Sequence, residues 1–595
     1  MDSAEKKLSL PGDGACKGGE IPSICYWSAI DVGRFGQETA AKRIGSCDRK
    51  KLDAEKSASN FVIRTSGDLC GPLVHSRNYY SRARDTKKEM GIVSVIVVCA
   101  LIISLIMATL KKLHNFFFGS RLSSNIPSPP AYPFLRHVPY FLHATDYDKK
   151  MQKWEETYKK DGLFMFDVLV GPKRVCILRE DFIKQVLVTK CTKYGRPKML
   201  QSVFPKMGVF MVNGKEHAWQ RKMLNPSFSF SSLLSFVEIF DANTNNLIKY
   251  WKDKAESSLS GVAEADIHRD LSKLALDAIG ETAFGYNLKT LTTGENKVSQ
   301  AVELILSGKM GVVARVLRKY IPFYDMIPFQ ENVQLKKAAE VMNNFVNEII
   351  KKKREALKSG EDPNGVVSKD LLGKMILLQD EETGKRLSDE MIEAQVHTFM
   401  VAGHETTSVC LTWTLYLLAK HPDVQEKARK EATSILAGTD VFQGEHLEGL
   451  KYVTAVIKES LRIYSPAAVN MREALQDDQL GEYSIPKGTY ILIPVCAIHH
   501  IEEFWPNPDK FMPERFLSEG TKQPEIGNYK FMPFSNGPRN CIGWRFSMME
   551  MKVVIAKLLT TFKFELDPRQ EEMRTKMKLT LKPHPKPILR VSPID

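Results

Sequence analysis

Apolar residues are distributed very unevenly along this chain. Residues 1–90 are polar, rich in Ser and Lys, and show no sustained period. Such a stretch buries too little apolar surface to offset the entropy of ordering, so it predicts a poorly ordered N-terminal extension. It lacks the charged-then-apolar opening of a signal peptide. The pattern then switches abruptly. From Gly91 to Leu110 the run carries no charge. About 20 apolar residues rising ~1.5 Å each match a hydrocarbon layer of ~30 Å, so 91–110 predicts one transmembrane helix, with a buried core helix as the alternative. Basic residues flank both ends (Arg82, Arg84, Lys87, Lys88; Lys111, Lys112, Arg121), and the charge rule therefore assigns no orientation. Met90, directly before the run, reads as the real or an alternative start. Residues 111–144 contain Ile126-Pro127-Ser128-Pro129-Pro130-Ala131-Tyr132-Pro133 and then Pro139. Closely spaced prolines favour stiff, extended backbone, so this segment predicts a proline-rich hinge.

From 145 to 595 the pattern becomes long amphipathic segments of helical period with a few short strand-like runs: Gly162–Val170, Arg174–Leu178, Tyr490–Pro494 and Phe562–Leu566. The expected fold is mainly α with a smaller β region, preceded by the one transmembrane helix. Ser388-Asp389-Glu390 gives a capping serine and first-turn acids, and the apolar pattern behind it runs to about Lys420, with Pro422 just beyond. The charged stretch Lys351–Lys369, with its Gly and Pro, predicts an exposed loop. The tail around Pro583, Pro585 and Pro587 predicts loop or edge strand. There are no internal repeats.

Composition narrows the function. At 595 residues, 43% hydrophobic and 26% charged, the chain supports a large core. Ten cysteines without a C-x-x-C pair point to neither a zinc site nor a disulfide framework, which fits a reducing, cytosolic setting. The formal charge of +14 comes without a basic-aromatic module or zinc-finger spacing, which argues against nucleic acid. An anionic membrane surface or an acidic protein partner is the more natural target.

The chemistry centres on Cys541. Phe534-Ser535-Asn536-Gly537-Pro538-Arg539-Asn540-Cys541-Ile542-Gly543 places one cysteine among two glycines and an arginine, just before an apolar helix-forming run from Trp544 to Leu559. A cysteine at a helix start feels the positive end of the dipole and receives backbone N–H groups, an environment expected to favour a thiolate. A lone shielded thiolate suits a metal with one axial position to fill, haem iron above all. Gly537 permits the turn, Gly543 a close approach to a flat cofactor, and Arg539 a charge-assisted bond to a haem propionate. A buried structural cysteine is the plain alternative.

The pattern F-x-x-G-x-R-x-C-x-G resembles the haem-binding loop of the haem-thiolate monooxygenases, the cytochromes P-450. The resemblance implies haem b with Cys541 as the proximal iron ligand. Four further segments match in the family's order. Ala402-Gly403-His404-Glu405-Thr406-Thr407 resembles the oxygen-binding groove. By that match Thr406 stabilises bound dioxygen, Glu405 helps deliver protons from solvent, and Gly403 makes room for oxygen or substrate. Glu459 and Arg462 in Lys458-Glu459-Ser460-Leu461-Arg462, with Arg515 of Pro513-Glu514-Arg515-Phe516, resemble a buried charged cluster that holds the cysteine loop. Arg472 matches a second propionate-binding arginine. Gly214–Phe228 resembles a W-x-x-x-R helix but departs from it, since Met223 stands four residues after Trp219. Counting back from Pro226 and Phe228 instead puts His217 and Arg221, at i and i+4, on the propionates.

The implied activity is insertion of one atom of O2 into a lipophilic small molecule such as a fatty acid, terpenoid, sterol or xenobiotic. No flavin or nicotinamide fingerprint accompanies the motifs, so electrons are expected from NADPH through a separate membrane-bound flavoprotein reductase, with a small haem protein as a second donor. Arg545, Lys552 and Lys557 are candidates for docking it. The expected setting is the endoplasmic reticulum membrane, single-pass, with the catalytic domain cytosolic. The substrate pocket is expected to be lined by 196–216, Phe399, Ala402 and Ala467–Met471. Alternatives are an isomerase, dehydratase or peroxygenase on the same fold, which often lacks the acid–threonine pair, or a membrane-tethered haem sensor. Several motifs are worded most like fungal members of the family.

Overall fold

The computed structural model describes residues 103–104, 107–109, 125–133, 136–141, 145–168, 172–203, 207–294, 296–306, 324–327, 329–359, 369–517 and 528–594. The chain divides into two units, residues 1–104 and 105–595. In the first, only Ile103 and Ser104 are described, both helical. The predicted extension and nearly all of the 91–110 run therefore lie outside the described residues. Among the described residues no helix is long and apolar enough to cross a membrane.

The second unit is mainly helical, with a smaller β region. The helices that shape the site are α1 (Tyr147–Tyr158), α2 (Gly214–Leu224), α3 (Val237–Glu256), α4 (Ile267–Phe284), α5 (Gln330–Ser359), α6 (Asp389–Lys420), α7 (Lys451–Ile463) and α8 (Trp544–Thr561). The strands are β1 (Leu163–Phe166), β2 (Arg174–Ile177), β3 (Tyr194–Gly195), β4 (Ala263–Asp266), β5 (Asn470–Ala474), β6 (Asp478–Leu480), β7 (Tyr483–Ile485), β8 (Tyr490–Ile493), β9 (Phe562–Leu566), β10 (Arg574–Met577), β11 (Leu581–His584) and β12 (Ile588–Pro593).

Helix α6 forms the axis of the domain. It starts where its sequence asks it to: Ser388 Oγ accepts from Met391 N at 3.3 Å, and Asp389 and Glu390 occupy the first turn. It is buried along most of its length, polar residues such as Gln395, His404 and Glu405 included, with α4 packed along it. A Cβ on Gly403 would come within 2.8 Å of Ile279 Cδ1, so that glycine lets α4 and α6 approach.

A five-stranded sheet in the order β1-β2-β8-β5-β3 lies beside the helices, with β2 and β8 parallel and the other pairs antiparallel. Alternation along its strands feeds two cores. Val175, Ile177, Ile491 and Ile493 face one cluster, while Cys176, Tyr490 and Leu492 face the other. The predicted strands stand, trimmed at their ends. Part of the expected hinge is packed against this sheet: Ile126 is buried, Met165 N donates to Pro127 O at 2.8 Å, and His137 N donates to Asp167 O at 3.0 Å.

One expectation fails over its first half: α5 continues through Lys351 to Ser359, and residues 360–368 of the expected loop lie outside the described residues. The segment is made of strong helix formers, with Glu348–Lys352 at 2.6 Å and Lys351–Glu355 at 3.9 Å as i, i+4 pairs. The proline tail behaves as expected: among the described residues β11, which contains Pro583, pairs only with β10.

Candidate active site

The cysteine loop is a tight reverse turn leading into α8. Cys541 N donates to Phe534 O at 2.9 Å, closing the loop on itself. Gly537 has φ +72°, and a Cβ there would lie 2.1 Å from Leu187 O, so no other residue fits. Ser535 also sits at positive φ, +63°. Beside Gly543 the space is open, with only Phe228 Cε1 at 4.0 Å. Cys541 keeps open surface as a residue, while its sulfur is desolvated by the surrounding protein; that desolvation pushes the thiol above its ordinary value, and the Gly543 N–H and the Arg221 guanidinium oppose it.

Around this loop lies a concentration of guanidinium groups with little to balance it. Arg539 Nη2 donates to Val212 O at 2.8 Å and Asn213 Oδ1 at 2.9 Å, and Arg472 Nη1 donates to Met471 O at 3.0 Å. Their other terminal nitrogens, Arg539 Nη1 and Arg472 Nη2, are buried with no hydrogen-bond partner among the described residues. Burial first, and Arg539 second, lower Arg472 to about 10; burial lowers Arg539 to about 10. His217 is buried and held neutral at about 4, by burial and then by Arg539, Arg221, Arg196 and Arg472. Trp219 turns elsewhere, donating to Asp380 Oδ2 at 3.1 Å. Geometry thus favours the register that puts His217 in the cluster.

Two members of this cluster escape sequence reasoning. Arg196 lies among the same charges and is pushed well below its ordinary value by burial, Arg472 and Arg539. Asn213 Oδ1 accepts from both Arg196 N and Arg539 Nη2, at 2.9 Å each, and so joins β3, the start of α2 and the cysteine loop. A Gly-Arg-Pro triplet offers little signal for this. Arg221 is also tied to the cysteine loop. Its Nη1 and Nη2 donate to Asn540 O and Oδ1 at 2.6 and 2.8 Å, and its Nε donates to Asn225 Oδ1 at 2.8 Å. It grips the residue before Cys541.

On α6 a short accessible patch interrupts an otherwise buried surface: Ala402 is exposed, and Gly403 and Thr406 are half-buried. Thr406 Oγ1 donates to Ala402 O at 2.8 Å, which leaves its oxygen free to accept. Glu405 does not share that face. Its carboxylate is buried against Lys582 Nζ at 2.7 Å and accepts from Thr580 Oγ1 at 2.8 Å. Phe399 is buried against Phe228, with ring centroids 5.4 Å apart, while Ala467, Val469 and Met471 stay half-buried.

Glu459, Arg462 and Arg515 meet in one cluster. Arg462 donates to both Glu459 oxygens at 2.8 Å, and Arg515 Nε reaches Glu459 Oε1 at 3.3 Å. The strut from this cluster to the cysteine loop is His499, which the sequence left unmarked. Its Nδ1 lies 3.2 Å from Arg462 O, and its Nε2 accepts from Met532 N at 3.0 Å, two residues before Phe534. Two of the docking candidates are occupied: Lys552 Nζ donates to Leu447 O at 3.0 Å, and Lys557 is paired with Asp241. Arg545 remains exposed.

Comparison with known proteins agrees with this geometry. The family model "Cytochrome P450" matches residues 126–590. Rat cytochrome P450 4F4 is 31% identical over 507 residues, covering 82% of this chain and 94% of the relative. Mouse leukotriene-B4 omega-hydroxylase 3 is 30% identical, covering 82% and 93%. Among solved structures, the haem domain of cytochrome P450DA aligns with a TM-score of 0.68 at 28% identity, covering 80% of this chain and 99% of that one. The chain belongs to the cytochrome P450 family. It is an oxidoreductase, a monooxygenase of the haem-dependent class.

The residues present fit that cofactor. Two buried guanidinium nitrogens lack an acceptor among the described residues, as carboxylate-bearing edges would require, and the cysteine lies beside a glycine with room at its Cβ.

Proposed function

We propose that Cys541 is the axial ligand of haem b. Arg472 and Arg539 bind its propionates, with Arg196 and His217 beside them, and the chain inserts one oxygen atom from O2 into a C–H bond of a lipophilic small molecule. The observation that carries this reading is the pair of orphaned, buried guanidinium nitrogens beside an exposed cysteine. When bound, the haem supplies the redox chemistry of oxygen activation, with thiolate ligation favouring O–O cleavage. The protein's part is positioning and proton handling. Metal coordination deprotonates a thiol outright, which resolves the raised Cys541. Thr406 offers its oxygen as an acceptor at the only accessible stretch of mid-α6 described here, and the apolar walls from Ala467 to Met471 exclude water.

Electrons come from NADPH through a membrane-bound flavoprotein reductase, with a small haem protein as a second donor, and residues 91–110 anchor the chain in the endoplasmic reticulum with the catalytic domain cytosolic. A name such as leukotriene-B4 omega-hydroxylase, carried by a relative, supports a long-chain lipid as the substrate class. The decisive test is the reduced, carbon-monoxide-treated protein. A red-shifted Soret band in the wild type, absent in Cys541→Ala, supports the reading; pigment retained in that variant with an unchanged band overturns it. Binding spectra against fatty acids, terpenoids and sterols then rank substrates.

A further inference from the structure

Asp478, at the start of β6, is the hub of a second charged cluster. Its Oδ1 accepts from Lys190 Nζ at 3.1 Å and Lys193 Nζ at 2.9 Å. Its Oδ2 accepts from Tyr194 Oη at 2.8 Å and Gln185 Nε2 at 3.0 Å. The side chain is only 3% exposed, so these bonds stand in for water. Burial alone would raise its carboxyl, but the bonds from Lys193, Tyr194, Lys190 and Gln185 hold it below its ordinary value. All four donors come from residues 185–194. That stretch is irregular: a π-helical turn at Gln185–Thr189 and a 3-10 turn at Cys191–Lys193 lead into β3. Backbone hydrogen bonds are poorer in such turns, so side-chain ties weigh more there.

The same stretch meets the candidate site at three places. Leu187 O packs against Gly537 of the cysteine loop, where a Cβ would lie 2.1 Å away. Burial, and for Arg472 also Arg539, lowers these two guanidiniums, and Cys191 acts on both in the opposite sense. β3 pairs with β5 in the register Tyr194↔Ala474 and Gly195↔Glu473, so the next step of that register brings Arg196 to Arg472. Arg196 Nε donates to Phe210 O at 3.0 Å, and among the described residues no carboxylate pairs with Arg196, Arg472 or Arg539. Like charges gathered away from water repel one another, so Arg196 needs a restraint to stay among them.

We infer that Asp478 is a positioning residue for the anionic edge of the cofactor: by tying down 185–194 it keeps Arg196 beside Arg472, Arg539 and His217 against their mutual repulsion. This deepens the function proposed above and rests on it. Asp478 touches none of the three guanidiniums itself. It acts through Tyr194, two residues before Arg196, and through the lysines that bracket Cys191.

The test uses the full-length, haem-loaded protein. Asp478→Asn transfers haem to apomyoglobin about tenfold faster, the order expected when a supporting partner of a metal site is lost. Tyr194→Phe cuts one tie, leaves both lysine pairs and gives a smaller acceleration. Arg196→Met also speeds transfer, and adding Asp478→Asn to it speeds transfer no further, because both act through one side chain. The reduction potential separates positioning from charge alone. Loss of an anion by itself shifts the potential up, whereas withdrawal of Arg196 shifts it down. Asp478→Asn therefore shifts it down, and the double variant lies no lower than Arg196→Met. An upward or unchanged potential in Asp478→Asn, or strictly additive transfer rates, overturns the proposal. So does wild-type haem transfer in Asp478→Asn, or in Tyr194→Phe should the first variant not fold. The reduced carbon monoxide spectrum separates the two readings. If wild type shows the thiolate band while these tests fail, only the role of Asp478 falls; if wild type itself lacks that band, the function proposed above falls.

Discussion

Replacing Arg462 by alanine tests whether the charged cluster holds the cysteine loop. The side chain is fully buried, as is that of Glu459. It donates twice to Glu459 and once each to His499 O (2.9 Å), Pro508 O (2.7 Å) and Lys510 O (3.3 Å). Truncation leaves the Glu459 carboxylate in the interior with only Arg515 at 3.3 Å and Met512 N at 3.0 Å. An uncompensated buried charge costs about 3–5 kcal/mol. Against a total stability of about 5–15 kcal/mol, that is a large fraction. The effect should reach the sulfur, because His499 spans from Arg462 O to Met532 N and Phe534 closes the loop on Cys541. The assay is the haem-to-protein ratio of purified protein together with its urea midpoint. Arg462→Ala should yield mostly apoprotein with a lowered midpoint. Glu459→Leu combined with Arg462→Met removes both charges and should recover part of the loss. A wild-type haem ratio and midpoint in Arg462→Ala would refute the strut.

Other outcomes follow from the same geometry. Arg472→Ala and Arg539→Ala should each speed transfer of haem to apomyoglobin, and the pair together more so, since each supplies an otherwise unpartnered donor. Thr406→Ala should lower coupled turnover by up to ~100-fold and raise peroxide release; unchanged product and peroxide would remove Thr406 from oxygen handling. Gly537→Ala forces a Cβ to 2.1 Å from Leu187 O at φ +72°, and should abolish haem binding by distorting the turn. His404 and His499 are held down to about 4 and about 3, chiefly by burial. Folding therefore favours their neutral forms. Their contribution is complete above pH ~6.5 and is lost as pH falls toward 4, at up to about 1.4 kcal/mol per pH unit each. Urea midpoints between pH 7.5 and 4.5 should show this slope, and His404→Asn should flatten it by about one proton.

What the sequence disclosed were features whose cause is local. Ser388 caps its own helix, Phe562–Leu566 alternates like the strand it forms, and Glu459 meets Arg462 one turn away. The loop around Cys541 is legible because ten adjacent residues make it. What stayed hidden is set by residues far apart along the chain. Glu405 turns toward Lys582, 177 positions later, and no helical period reveals that. His499 looks like half of an ordinary His-His pair until Met532 donates to it. Arg221 sits in the expected place and also binds Asn540, a contact that no local pattern announces. At position 541 the pull of the helix start is legible in the sequence, whereas the opposing desolvation sums over neighbours that are distant along the chain. Residues 351–359 run against the loop expected from charge, Gly and Pro, because lysine, arginine and glutamate are good helix formers.

The grip of Arg221 on Asn540 carries a consequence for anyone rebuilding this scaffold. One side chain clamps both the amide and the peptide carbonyl immediately ahead of the sulfur, and its own angle is set by Asn225 at the end of the same helix. Segments exchanged upstream of position 214 to admit bulkier molecules leave this clasp intact. A swap that also takes in 221 or 225 would change the seating of the sulfur, and the spectrum would report it before any change in substrate choice was seen.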